Sequence, residues 1–159
     1  MTRLAVVGAR VLPLLLLFAA GCGSTPAPGA KPPAHVDTCA VFTEADLKAL
    51  DLARGQRMAN KPTGCMLASP RGFRVFVVHE ENVTVADAEK REHTSFSRNE
   101  INGRPGYLSA NQQPVCTQGL EFGAGTLQVL ANVEAAQVPI DACDLARKVA
   151  DVVEPKLPA

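Results

Sequence analysis

Cys22 closes the segment Leu17-Phe18-Ala19-Ala20-Gly21-Cys22, and a thiol in that position suits one reaction, transfer of a diacylglyceryl group during export. Ahead of it, Arg3 and Arg10 stand without an acidic residue, and an apolar stretch runs from 11 to 20 with Pro13 inside it. Such a stretch is too short for a membrane-spanning helix, which needs about 20 apolar residues. It suits a signal-peptide core followed by the small residues that cleavage requires. The sequence therefore predicts a lipoprotein signal peptide over 1–21, cleavage before Cys22 and lipidation of its sulfur. Ordinary secretory cleavage is the competing reading. The order Ala-Gly-Cys favours lipidation, because the thioether needs that thiol. Two acyl chains would hold the chain stably on the outer face of the cell membrane, whereas one would not.

The remaining reactive groups are sparse. His79-Glu80-Glu81 and Glu89-x-x-Glu92-His93 offer imidazole and carboxylate ligands. Glu89 and His93 would share a face if that segment were helical. A metal site wants three or four convergent ligands, and only two are assured here. With Lys90 and Arg91 interleaved, a solvated face of mixed charge is the preferred reading, with no metal. Ser69, Ser95, Ser97 and Ser109 lack a surrounding Gly-x-Ser-x-Gly, and no triad is legible. His35 falls in a proline-rich stretch. Gly119, Gly123 and Gly125 lack the Lys-Ser/Thr of a phosphate loop. No cofactor is expected, and the chain is read as not an enzyme. In Asn102-Gly103-Arg104-Pro105-Gly106-Tyr107, Arg104 and Tyr107 are candidates to present a cation and an aromatic ring to an anionic ligand or partner. The plainer reading is a turn whose tyrosine covers the core edge.

These groups need a scaffold. Residues 23–34 read Gly-Ser-Thr-Pro-Ala-Pro-Gly-Ala-Lys-Pro-Pro-Ala, a composition that cannot build a core. Lipidated Cys22 and this Pro-rich segment define a tether over 22–36, reaching ~35–40 Å at about 3.1 Å per residue. The folded domain is then 37–159, a single unit without repeats. Loss of Arg3 and Arg10 would leave 14 basic against 16 acidic residues, a net of −2. That argues against nucleic acid as a partner and against electrostatic docking on anionic lipid.

With the Cys22 sulfur taken up by lipidation, Cys39, Cys65, Cys116 and Cys143 remain, an even set expected to form two disulfides in an exported domain. Sequential pairing, Cys39–Cys65 with Cys116–Cys143, closes two short loops and stabilises by ~3 kcal/mol each in the chain-entropy model. Nested pairing stays open and would suit first and last helices packed side by side.

Thr43-Glu44-Ala45-Asp46 reads as a capped helix start, with the helix running to about 52. Segments 65–69 and 73–79 flank Pro70-Arg71-Gly72 as a hairpin. Phe73, Val75 and Val77 alternate with Arg74, Phe76 and Val78 as in a central strand. A polar helix is expected over 83–96, then strands over 100–108, 115–122 and 126–133, the last two around Gly123-Ala124-Gly125. Asp141 caps a final helix over 142–156, with Leu145, Val149 and Val152 on one stripe. The expected fold class is α+β: an antiparallel β-sheet of about five strands with N-terminal, middle and C-terminal helices and two disulfides.

Taken together, these pieces resemble a family of actinobacterial lipoproteins known only as domain of unknown function 3558. The resemblance rests on Asp37-Thr38-Cys39 before Phe42-Thr43 and Asp46-Leu47, and on Cys65 opening a strand. It continues through Asn102-Gly103-Arg104-Pro105, Cys116, Cys143-Asp144-Leu145-Ala146 and Leu157-Pro158. Thr38 stands where the family has proline, and Leu67 where it often has tryptophan. The resemblance implies localisation and fold and no activity. The functional expectation is a membrane-anchored, extracytoplasmic binding or interaction module of the cell envelope. It would be held by diacylglyceryl-Cys22 and would recognise an envelope protein or a small ligand. A lipid or glycolipid carrier and an envelope hydrolase are the alternatives.

Overall fold

The computed structural model describes residues 35–111, 114–137 and 139–158. The expected signal peptide (1–21), Cys22 and all of the expected tether except residues 35 and 36 lie outside the described residues. The elements are α1 (Glu44–Leu50), β1 (Gln56–Met58), β2 (Lys61–Ala68), β3 (Arg74–Glu80), α2 (Val85–Glu89), β4 (Ser95–Ile101), β5 (Arg104–Ala110), β6 (Val115–Phe122), β7 (Gly125–Asn132) and α3 (Ala142–Val153), with a closing 3-10 turn (Glu154–Lys156). The fold is α+β, with one seven-stranded sheet in the order β1-β2-β3-β7-β6-β5-β4, antiparallel at every pairing.

Seven strands replace the five expected, because one expected strand is two and β1 is added. Segment 83–96 is helical only over Val85–Glu89, and the chain is extended again from Ser95. The expected strand 100–108 is folded in two at Asn102-Gly103, with φ of 51° and 84°. Those angles are the two-residue hairpin turn that Asn-Gly favours, and they pair Ile101 with Arg104. β1 escapes sequence reading because three mostly exposed residues carry no alternation.

Both short helices start on the same device. Thr43 accepts from the Asp46 amide while the Asp46 carboxylate accepts from Thr43, and Thr84 and Asp87 repeat the arrangement. This reciprocal box satisfies two amides that a helix start leaves unpaired. α1 ends at Leu50, short of the expected 52. Asp51 there adopts a left-handed backbone (φ 55°) and its carboxylate takes a hydrogen bond from Arg71.

Alternation gives the sheet two faces. Cys65, Leu67, Val75, Val77, Leu127 and Val129 share the inner face with α1 and α3. α3 lies against β6 and β7 and buries Leu145, Ala146, Val149, Ala150 and Val153. As expected, β3 is central, lying between β2 and β7. On the outer face α2 carries the chain from β3 to the far edge and sets Val85 and Ala88 against Tyr107 and Phe96. The two disulfides are Cys39–Cys65 (Cα–Cα 5.1 Å) and Cys116–Cys143 (5.0 Å). Each joins the inner face to the chain directly above it, which is why the sequential pairing fits.

Candidate functional site

The histidines and acids singled out in the sequence do not converge. His79 is 4% exposed on the inner face, its ring edge-on to Phe122 with centroids 5.0 Å apart. The Phe122 carbonyl faces the ring outside hydrogen-bond geometry, so both ring nitrogens lack a partner. Burial pushes its pKa below the ordinary value, and the ring is neutral near pH 7. Glu80, next along the strand, turns to the outer face and pairs with Lys61. Glu89 ends α2 and bonds Arg98 at 2.6 Å. His93 follows that helix, with ring nitrogens 3.1 Å from Asn111 Oδ1 and 2.7 Å from the Ala88 carbonyl. Among the described residues, no three such ligands gather for a metal ion.

Arg104 and Tyr107 are likewise separated. They stand three apart on β5, so their side chains leave opposite faces. Arg104 points inward and is only 17% exposed. Its guanidinium donates to Glu154 Oε1 (2.9 Å) and to the carbonyls of Glu121 (3.2 Å) and Pro158 (3.0 Å), which fastens the C-terminus to the sheet. Tyr107 is 2% exposed and stacks on Phe96 at 5.2 Å. Its ring covers Gly119, where a Cβ would sit 2.1 Å from the ring. Burial raises its pKa. The pair therefore cannot present a cation and an aromatic to one ligand. Ser69 bonds Asp51 in the β2–β3 turn, Ser109 is buried, and no hydrogen bond joins a serine hydroxyl to a histidine among the described residues.

What sequence reading missed is a cleft beside α1. It has a volume of about 520 Å³ and is lined by Cys39, Ala40, Phe42, Glu44, Leu47, Lys48, Leu52 and Arg54. A second hollow of about 520 Å³ shares Leu47, Lys48 and Leu52 and is also lined by Asp51, Ala68 and Pro70. The cause is local. α1 is seven residues long, and buries Leu50 while leaving Leu47 half-exposed. Phe42 and Leu52 join the core below, and Cys39, bridged to Cys65, is part of the lining. Lys48 and Arg54 stand at this cleft without an ion-pair partner among the described residues, whereas Arg57, Lys61, Arg71 and Lys156 nearby are each paired. The one available signal was Leu47-Lys48 and Leu52-x-Arg54, apolar residues beside cations at the end of a helix too short to cover them. The lining thus sets an apolar floor under two cations and one acid, Glu44, a net positive rim that can hold a ligand. The lining supplies no base beside a nucleophile.

A family model described as protein of unknown function (DUF3558) matches residues 17–156. No curated protein and no solved structure matches the chain. Among the described residues no helix is long and apolar enough to cross a membrane.

Proposed function

The chain belongs to the DUF3558 family of proteins of unknown function, and from that premise we propose that it is an envelope binding module, tethered through lipidated Cys22, which holds a small amphiphile in the cleft beside α1. The ligand has an apolar body and an anionic head, as a long-chain carboxylate does. The observation that carries this reading is an apolar floor beside Lys48 and Arg54, which form no ion pair among the described residues and outnumber the one acid of the lining, Glu44. The cleft's size falls within the ~300–1,000 Å³ of small-molecule sites, which are mostly apolar with a few placed polar groups. Cys39 and Ala40 line it, so the site adjoins the point where the tether enters the domain.

The test uses a fluorescent long-chain fatty acid as probe, titrated into the exported chain beside its methyl ester. The carboxylate should bind more tightly, by about threefold to tenfold, as one to two ion pairs with exposed cations give. Lys48→Glu with Arg54→Glu should abolish that preference, and Leu47→Asp, on the half-exposed wall of the cleft, should weaken binding of both probes. Equal affinity for acid and ester, or binding unmoved by these substitutions, overturns the ligand assignment. Loss of membrane association in a Cys22→Ala chain checks the anchor separately.

A further inference from the structure

The two edges of the sheet are built differently. β1, at one edge, is three residues long, and its register against β2 shifts between Arg57 and Met58. Short, irregular edge strands are the usual protection against pairing with another chain. β4, at the other edge, pairs with β5 over seven residues in unbroken register, and contains no proline. No strand covers its outer side among the described residues.

The Asn102-Gly103 turn decides which groups that edge presents. In a two-residue hairpin the flanking residues, here Ile101 and Arg104, exchange hydrogen bonds. Alternation then turns the amides and carbonyls of Ser97 and Asn99 toward β5, and those of Phe96, Arg98 and Glu100 outward. The outward set also projects its side chains to the outer face. Antiparallel pairing of two copies must match outward residues with outward residues. Centring the two-fold axis on Arg98 puts Arg98 opposite its own copy, and centring it on Glu100 does the same for that acid. Like charges directly opposite are destabilising. Centring it on Asn99 sets Arg98 opposite Glu100 of the second copy, twice, with four backbone hydrogen bonds between those residues. Glu100 has no ion-pair partner among the described residues, and Arg98 holds only Glu89, at an exposed site.

We propose that the chain forms a two-fold dimer by antiparallel pairing of β4 with β4 of a second copy, centred on Asn99, making one continuous fourteen-stranded sheet. An axis perpendicular to the sheet keeps both inner faces on the same side. Val36 and Cys39 pack on that face, so the first described residues of both copies lie on the same side of the joint sheet. The α1 cleft, at the opposite edge, is untouched, so dimerisation and ligand binding are separable.

The experiment is sedimentation of the full chain in mild detergent, with thermal melts confirming that each variant is folded. The wild-type chain should sediment as a dimer. Arg98→Glu or Glu100→Arg alone, each placing like charges opposite one another, should raise the dimer dissociation constant at least about tenfold. The double variant Arg98→Glu with Glu100→Arg should restore the dimer, since the charges are exchanged across the same axis. A wild-type monomer throughout the micromolar range, single reversals that leave the dimer intact, or a double reversal no better than the singles overturns the proposal.

Discussion

The sheet is two antiparallel meanders, β1–β3 and β4–β7, joined where β3 pairs with β7. Each half has a helix on the inner face and one disulfide, and the bridges span similar separations of 26 and 27 residues. The covers differ. Over the second half α3 has twelve residues and buries five of them, and Arg104 clamps the turn that follows it. Over the first half α1 has seven residues and buries one. With cross-links so alike, the difference lies in how much apolar surface each helix removes from water, at roughly 25 cal/mol per Å². The second half is built to hold the fold, and the first leaves a floor uncovered beside free cations. On the function proposed above, stability and recognition would fall to different halves.

Substitution of the helices should break that contrast most sharply. Val149 is fully buried where α3 meets the sheet. Val149→Asp places an unpaired carboxylate there, which should cost more than about 4 kcal/mol and abolish a cooperative transition in urea. Leu47→Asp makes the same kind of change on half-exposed α1, and should cost about 1 kcal/mol or less while weakening ligand binding. Similar losses from both would mean that α1 is as structural as α3.

The disulfides give a finer test. Because the loops are nearly equal, chain entropy predicts about 3 kcal/mol from each. Cys116→Ser with Cys143→Ser should lower stability by that amount in urea titration and leave probe binding intact. Cys39→Ser with Cys65→Ser should lower stability comparably and also weaken binding, since Cys39 lines the cleft. Binding that follows the second bridge rather than the first would reverse the assignment.

The sequence was legible where a local rule met a strong pattern. Thr43 with Asp46, the alternation through β3, and the Asp141 cap all sit where single-chain reasoning puts them. Even the turn at Asn102-Gly103 was visible, but its consequence was not. A two-residue hairpin splits one apparent strand, so Arg104 and Tyr107 fall on a new strand with opposed faces. Their conversion from ligand candidates to a clamp and a core ring depends on Glu154, Pro158 and Gly119, which lie distant in sequence. The cleft was hidden for a related reason. A void is a property of what α1 fails to cover, and no residue pattern encodes an absence of neighbours.

The smallest effect lies at the seam between the halves. His79, near the end of β3 in the first half, packs edge-on to Phe122 of the second. Its ring is buried without a hydrogen-bond partner. Burial lowers its pKa most; Glu81 and Glu80 oppose that shift, and His35 adds to it. The folded state therefore resists a proton that the unfolded chain accepts at the ordinary histidine value of about 6.5. Above that value both states are neutral and the stability is fully present. As pH falls through it toward the folded value, the unfolded state gains protons and stability is lost. The paired carboxylates respond in stronger acid: Asp46, held by Lys156 and Thr43, is lowered to about 2. Thermal melts should thus show two stages of acid loss. His79→Phe, which keeps an aromatic ring against Phe122, should remove the first stage and leave the second. A first stage that survives His79→Phe would place the acid-sensitive group elsewhere, and would remove any special weakness from the seam.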